Sequence, residues 1–309
     1  MHLVPSFALA VLLLPAAAAA QVQVAELATP PADARNFTIM STAGKHGTAA
    51  TWTAPDGTLM GRMSVVLRGM VWEEEEATTL GADGAIADYR LRGSSPNGDV
   101  GETFSIAGGS ATWKSPVDAG SAPYARSSYY LPAGWTIKAG DLPIEWLVAH
   151  PGRDVALLPA GRARLEKLTT LTVGHGAARL AVTAWAVIGV SGTPFPVWTD
   201  AKGTVFASVG GLTTIRAGYE DAQPTLEKAQ NVALAARAPI LAKSLAAVPS
   251  SPLAFVDVRA FVDGSRFAEH QTVVVTGGKI VAVGAVADIR VPVGAKIFPG
   301  AGMTLVPGL

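Results

Sequence analysis

Short apolar runs separated by turn residues dominate the first two thirds of the chain. Runs rich in Val, Thr and aromatic residues occupy 62–67, 170–173, 180–188 and 204–209. Turn signals lie between such runs, among them the Asp-Gly and Asn-Gly pairs at 56–57, 83–84 and 97–98. Strands at this spacing with these turns are typical of antiparallel sheets. The pattern predicts an antiparallel β domain over residues 27–220, and a meander, a half-barrel and a sandwich each satisfy it.

The hydrophobic period changes to that of a helix at residue 221. Strong helix formers follow Pro224, and an apolar stripe at helical spacing consists of Leu226, Ala229, Ala233, Ala236 and Ile240. This period predicts a helix over residues 221–247, with a kink at Pro239 because proline removes a backbone donor. Residues 248–252 contain two prolines and two serines, which predicts a linker and a domain boundary.

Apolar strands recur in tighter order from residue 253 to residue 309. The pattern predicts strands at 254–258, 272–276 and 279–283, followed by two shorter ones near 296–298 and 303–306. Gly277 and Gly278 join the second and third of these as a two-residue hairpin. Short strands over 57 residues, without helix or cysteine, are marginal as an independent domain. This segment is therefore expected to be one part of a larger unit.

The first twenty residues have the pattern of a secretory signal peptide. An apolar run at 7–14 is followed by small residues that end in Ala18-Ala19-Ala20. An uncleaved membrane anchor is the alternative, but the run is shorter than a span needs and Pro15 interrupts it. We expect a mature chain that starts near Gln21 and is exported, in a Gram-negative bacterium to the periplasm, without a membrane span.

Composition and charge exclude several classes of function. The chain has 24 Lys+Arg and 24 Asp+Glu, so it lacks the basic excess expected of a nucleic-acid binder. The absence of cysteine excludes disulfide scaffolds, Cys-ligated zinc, iron–sulfur clusters and thiol catalysis. Hydrophobic residues make up 49% of the chain, which is enough to build a packed core.

The residue types that carry catalysis or bind metals show no motif. The five histidines are His2, His46, His150, His175 and His270, and no two are spaced as a ligand pair. We predict a hairpin tip at His175, a turn at His150 and the approach to a strand at His270. No nucleophile elbow, phosphate loop or dinucleotide fingerprint occurs in the sequence.

Two clusters of residues, one acidic and one aromatic, each allow a functional and a purely structural interpretation. The run of acidic residues from Glu73 to Glu76 offers oxygen ligands for a cation, but such a run is more often a solvated strand end or loop, which we predict here. The aromatic cluster consists of Tyr124, Tyr129, Tyr130, Trp135 and Trp146. A ligand groove and an ordinary aromatic core both account for it. No catalytic, cofactor-binding or metal-ligating residue is assigned in this chain.

The final segment carries an ordered series of motifs. The series is Val256-Asp-Val258, Asp263-Gly264, a Val-rich strand at 272–276, Gly277-Gly-Lys-Ile-Val-Ala-Val-Gly284, Val291-Pro-Val-Gly-Ala-Lys-Ile297 and Gly302-Met-Thr-Leu-Val-Pro-Gly-Leu309. It resembles the N-terminal part of metal-dependent amidohydrolases of the imidazolonepropionase-like and dihydroorotase-like kind. Pro299 departs mildly from the family pattern, and the resemblance covers about the last 55 residues.

The resemblance implies that residues 253–309 form part of the small composite β-sandwich of an amidohydrolase. In that family a (β/α)8 barrel follows, packs on this sandwich and holds zinc or another divalent metal for hydrolysis of amide or cyclic amide C–N bonds. The metal ligands of the family lie in that barrel, so the 309 residues alone are expected to be inactive. The alternative function is an exported, non-catalytic β module that binds a ligand or a partner.

Overall fold

The computed structural model describes residues 24–126, 128–134, 137–246 and 249–308. The predicted signal peptide, and residues 247 and 248 at the predicted linker, lie outside the described residues. The chain divides into two compact units, Met1–Ala236 and Arg237–Leu309, and the division falls within the second helix. The fold is mainly β, with two sheets and two α-helices and no TIM barrel among the described residues, which confirms the predicted fold class.

The first unit is built on one sheet of sixteen strands. The strands are β1 (Arg35–Ser41), β2 (Gly44–Thr53), β3 (Leu59–Leu67), β4 (Met70–Leu80), β5 (Ile86–Ser95), β6 (Gly98–Asp99), β7 (Glu102–Ala107), β8 (Ser110–Lys114), β9 (Ala119–Pro123), β10 (Ser128–Tyr130), β11 (Asp154–Leu158), β12 (Arg162–Val173), β13 (Leu180–Ile188), β14 (Phe195–Asp200), β15 (Val205–Ser208) and β16 (Thr213–Arg216). The order across the sheet is β10-β11-β12-β13-β14-β15-β16-β1-β2-β3-β4-β5-β7-β8-β9, with β6 beside β5. Neighbours are antiparallel except β10 and β11. The predicted turns at 56–57, 83–84 and 97–98 each join two consecutive strands.

The two ends of this sheet are close in sequence, which requires the sheet to curl. Strands β9 and β10 are at opposite ends of the order, yet only residues 124–127 connect them. Five residue steps span at most about 18 Å, whereas fifteen flat strands would extend over about 65 Å. The side chain of Tyr130 on β10 accordingly stacks on Phe104 of β7, with ring centroids 4.4 Å apart. The sheet folds over itself and encloses an apolar interior.

The first helix, α1 (Leu142–Ala149), packs on the inner face of this sheet. Pro143 near its start favours a helical first turn. Ile144 lies in one apolar cluster with Val187, Val197 and Val205, which belong to β13, β14 and β15. The helix and the chain that precedes it therefore cover the interior of the curled sheet.

The second helix is α2 (Gln223–Leu245), which lies within the range predicted to be helical. Leu226 is fully buried in a cluster with Trp198 and Phe206, and Gln230 accepts a hydrogen bond from the Trp198 indole nitrogen at 2.9 Å. Further along, Ala236 is exposed and Ile240 is 72% exposed. Burial of the apolar stripe is thus confined to the first turns of the helix. Pro239 lies within the helix, as predicted.

The second unit contains a smaller sheet of five strands. They are β17 (Leu253–Val262), β18 (Arg266–Thr276), β19 (Lys279–Ala285), β20 (Lys296–Pro299) and β21 (Thr304–Leu305). The first three form an antiparallel meander, while β20 and β21 return parallel to β17. Gly277 and Gly278 form the predicted hairpin turn, with φ of 58° and 77°, a left-handed conformation that favours glycine.

Candidate ligand-binding site

An apolar cavity of about 380 Å³ lies between the first sheet and its cover. Its volume falls within the range of small-molecule sites. The sheet contributes side chains from β1, β2, β3 and from β12 to β16, and the cover contributes residues from Leu131 to Leu147. The sheet wall includes Phe37, Ile39, Met63, Val187, Val197 and Val205. The cavity thus belongs entirely to the first unit.

The cover segment consists of residues 131–149, of which 135 and 136 lie outside the described residues. Two buried carboxylates of the sheet hold it in place. Glu76 accepts hydrogen bonds from the backbone nitrogens of Ile137, Lys138 and Ala139 at 2.7–2.9 Å. These three backbone hydrogen bonds satisfy the Glu76 side chain without a cationic partner.

Glu102 holds the beginning of the same segment. Its carboxylate accepts hydrogen bonds from the Tyr130 hydroxyl at 2.6 Å and from the backbone nitrogens of Ala133 and Gly134 at 2.8 and 3.0 Å. Glu76 is completely buried and Glu102 is 1% exposed. Since Glu76 and Glu102 both flank Leu91 in the strand register, they form one row across β4, β5 and β7.

The interpretation of the Glu73–Glu76 run as a solvated strand end or loop was wrong. The run lies in the middle of β4, and Glu74, Glu75 and Glu76 are buried. Alternate members face opposite sides of the strand. Glu73 pairs with Arg62, and Glu75 forms two hydrogen bonds to Arg92 at 2.7 and 3.0 Å. Glu73, Glu75 and Glu76 therefore serve as hydrogen-bond acceptors inside the fold.

Burial raises the pKa of several carboxyl groups near the cavity. It raises the pKa of Glu74 to about 7, with a further contribution from the Glu76 carboxylate. It raises the pKa of Glu76 as well, against the opposing effect of the three backbone hydrogen bonds. The Glu74 Oε2, Thr78 Oγ1 and Tyr89 hydroxyl atoms are buried without a hydrogen-bond partner. An ionised Glu74 is costly in such surroundings, so protonation stabilises this face at neutral pH.

Asp141 is the ionisable residue that lines the cavity. It is the N-cap of α1, but its side chain makes no capping hydrogen bond to that helix. Burial raises its pKa to about 8, with the Glu145 and Glu76 carboxylates adding to the shift and Lys138 and Arg35 opposing it. The sequence analysis missed this residue, although the order Asp-Leu-Pro at 141–143 is a helix-start signal.

The aromatic cluster proves to be mostly core. Tyr129 and Tyr130 are 2% exposed and pack within the main apolar cluster of the first unit. Tyr124 and Trp146 are partly buried against the same cluster, and Trp146 also stacks on His150 with centroids 4.1 Å apart. Trp135 lies outside the described residues. None of the four described members lines the cavity.

The described histidines are dispersed over the fold. His175 occupies the turn between β12 and β13, and His150 follows the end of α1, as predicted. His270 lies inside β18 rather than before it, at an irregularity opposite β17. Its Nδ1 is 2.7 Å from Asp257 Oδ1, and both residues have positive φ. Each of the two is exposed enough for water to compete with this pair.

The second unit has an open apolar groove rather than an enclosed cavity. Its lining includes Phe255, Ala260, Val273 and Leu305. Large apolar side chains are also exposed on this sheet and the segments after it: Phe267, Ile280, Val281, Val283, Val286, Val293, Ile297, Met303 and Val306. Monomeric proteins seldom leave so many large apolar side chains in water on so small a unit.

Metal and membrane sites were also considered. Within the described ranges, no group of three or more His, Asp or Glu side chains is arranged to hold a metal ion. None of the helices in those ranges is both long enough and apolar enough to cross a bilayer.

Comparison with known proteins gives little. No family model matches the chain, and no curated protein matches it significantly. Among solved structures, a DUF1089 family protein from Pseudomonas aeruginosa aligns with a TM-score of 0.34 and 13% identity, over 53% of this chain and 90% of that one. At that TM-score we base no argument on the likeness.

Proposed function

We propose that the chain is the scaffold portion of an exported, metal-dependent amidohydrolase that cleaves amide or cyclic amide C–N bonds. The ordered motifs of residues 256–308 support the proposal, and the segments that carry them form the strands and turns of one small sheet. The glycine hairpin joins β18 to β19. The Val-Pro and Gly-x-Thr-Leu motifs then lead into β20 and β21, which return to β17.

The exposed apolar side chains of the second unit support a covering partner. Ile280 and Val281 on β19 are 66% and 59% exposed, and Ile297 on β20 is 55% exposed. Burial of such side chains contributes a stabilising free energy of roughly 25 cal/mol per Å² of apolar surface removed from water. A catalytic barrel contributed by further chain would supply that burial. The carrying observation is the ordered series of family-like motifs, together with the large apolar side chains that this sheet leaves exposed.

The described residues of this chain do not fit a divalent metal site. They contain no convergent group of His and carboxylate side chains, so no step of hydrolysis is assigned to them. A metal in the complete enzyme would activate water and polarise the carbonyl. The role of the residues present is to form and support the sheet on which that domain packs.

The test of this proposal is the gene beyond the codon for residue 309. We expect an Asp-x-His-x-His motif within a few codons, and metal-dependent amidase turnover from the longer product but not from the 309-residue chain. A stop codon at that point contradicts the proposal. Turnover by the purified 309-residue chain itself contradicts it equally, because it would locate the reactive centre in residues to which we assign none.

A second function, ligand binding by the first unit, is favoured by the cavity beneath the cover segment. Its walls are almost entirely apolar, and its volume suits a small molecule. An apolar fluorescent dye should bind the wild-type chain, and Leu212→Trp, which places a large ring in the cavity wall, should weaken that binding about tenfold or more. Equal binding by the two proteins would show that the dye binds outside this cavity.

A further inference from the structure

Few of the side chains that line the cavity are polar, and these carry either a carboxyl or a hydroxyl group. Beside the apolar side chains, the described lining residues with polar side chains are Asp141, Ser208 and Thr214. The same described lining includes no Lys, Arg or His. An anionic group on a ligand would therefore lose its hydration without gaining a cationic partner, which disfavours its binding.

The charged groups around Asp141 are occupied by other interactions. Lys138 on the cover segment forms an ion pair with Glu145 of α1, at 2.6 Å between Nζ and Oε2. Glu145 Oε1 also accepts a hydrogen bond from the backbone nitrogen of Val205 on β15. On β4, Glu76 is held by three backbone nitrogens. The remaining charged neighbour is Arg35 on β1, whose charge opposes the raised pKa.

A protonated carboxyl group is both a donor and an acceptor. Because the pKa of Asp141 is raised to about 8, this group is mostly neutral at pH 7. A cationic ligand would have to remove that proton and bring a second charge into an apolar enclosure, with the desolvation of both ions to overcome. A neutral hydroxyl group can donate a hydrogen bond to a neutral carboxyl group and also accept one from it. No charge is created in the cavity.

We infer that the cavity binds an uncharged amphiphile, a single aliphatic chain with a terminal hydroxyl group, and that Asp141 binds the hydroxyl while the sheet buries the chain. This inference rests on the ligand binding proposed for the first unit and adds the chemical class of the ligand. Ser208 and Thr214 provide further hydroxyl groups in the same wall. The aliphatic chain occupies the space bounded by Phe37, Met63 and Val197.

The experiment compares three probes of equal chain length, decanol, decanoate and decylammonium, by displacement of the apolar dye from the full chain near pH 7. We expect decanol to bind about tenfold more tightly than either ion. Asp141→Asn keeps a neutral donor and acceptor and should retain the preference. Asp141→Leu should weaken decanol binding about fivefold, which corresponds to one hydrogen bond.

The possible failures are distinguishable. If an ion binds as tightly as decanol, or if Asp141→Leu leaves decanol affinity unchanged, the inferred ligand class is wrong while cavity binding stands. If no probe displaces the dye, or if Leu212→Trp binds decanol as well as the wild type does, the proposed ligand binding itself fails. Retention of a cooperative melting transition by each variant shows that a loss of binding is not a loss of folding.

Discussion

The two sheets of this protein differ in what covers their apolar faces. The sheet of the first unit is long enough to curl, and the cover segment 131–149 closes its interior. The sheet of the second unit has five strands and leaves side chains such as Ile280 and Ile297 in water. The first unit therefore encloses an apolar interior with its own residues, whereas the second unit leaves large apolar side chains exposed.

The carboxylate side chains of the two units also differ in their burial. In the first unit, Glu76 and Glu102 are fully enclosed and each accepts three hydrogen bonds from the described chain. The carboxylates of the second unit, such as Asp263 and Glu269, lie in exposed ion pairs with arginines. Enclosed acceptors stabilise a specific backbone path, while exposed pairs contribute little.

The largest expected effect comes from removal of an enclosed acceptor. Glu76→Gln replaces one carboxylate oxygen by an amide nitrogen that faces backbone donors, so at least one of them loses its partner. We expect the free energy of unfolding to fall by about 3–5 kcal/mol, measured by denaturant titration. The control is Asp154→Asn, which removes an ion pair whose members are more than half exposed and should change the free energy of unfolding little. Equal losses would show that Glu76 does not hold the cover segment.

The second expected effect compares two apolar residues of the same helix. Leu226→Ala removes a side chain that is completely buried against the first sheet, and should destabilise that unit by about 2–5 kcal/mol. Ile240→Ala acts on a side chain that is 72% exposed and should change stability by about 0.5 kcal/mol or less. A large loss for Ile240→Ala would mean that a surface absent from the described fold covers the second half of α2.

Local features of this fold could be predicted from the sequence. The Gly277-Gly278 hairpin and the Asp-Gly and Asn-Gly turns were predicted because their chemistry lies within a few residues. The existence of α2 and its Pro239 followed from helical periodicity in the same way. Periodicity shows which face of a helix is apolar but not how far along the helix that face is buried, so the exposure of Ile240 could not be predicted.

Features that depend on distant residues could not be predicted. Glu76 is buried because its acceptors meet backbone donors 61 to 63 residues further along the chain. The residues next to Glu76 in the sequence give no indication of these hydrogen bonds, so the acidic run was interpreted as solvated. The cavity likewise forms only because the sheet curls. Asp141 could be identified as a candidate only from the position of the cover segment against that sheet.

The third expected effect is a pH dependence from Asp141. Its folded-state pKa of about 8 is above the ordinary aspartate pKa of 3.8, so between these two values the folded protein holds a proton that the unfolded chain has released. Stability from this group is therefore fully present below about pH 4 and declines as pH rises towards 8. Asp141→Asn removes the effect, and should gain stability relative to wild type by at most about 1.4 kcal/mol per pH unit in that window. A constant difference between the two proteins across the window would show that the folded-state pKa is not raised.

The smallest expected effect on stability comes from the open face of the second unit. Ile280→Lys replaces a side chain that is 66% exposed, and should change the free energy of unfolding of the 309-residue chain by about 0.5 kcal/mol or less. The same change should increase the concentration at which the protein stays monodisperse in light scattering, because it interrupts the apolar surface. Val273→Ala, at a position that is 3% exposed in the adjacent strand, is the control that should destabilise without improving solubility.

The same substitution also distinguishes the two proposed functions. If further chain covers this face, Ile280→Lys in the longer product buries a charge at the contact and should destabilise it by several kcal/mol, although it is nearly neutral in the shorter chain. If nothing covers the face, the substitution should be neutral in both. The measurement is the pair of unfolding free energies with and without the additional sequence. A neutral result in the longer product would remove the apolar face as support for the amidohydrolase proposal and would leave ligand binding by the first unit as the better-supported function.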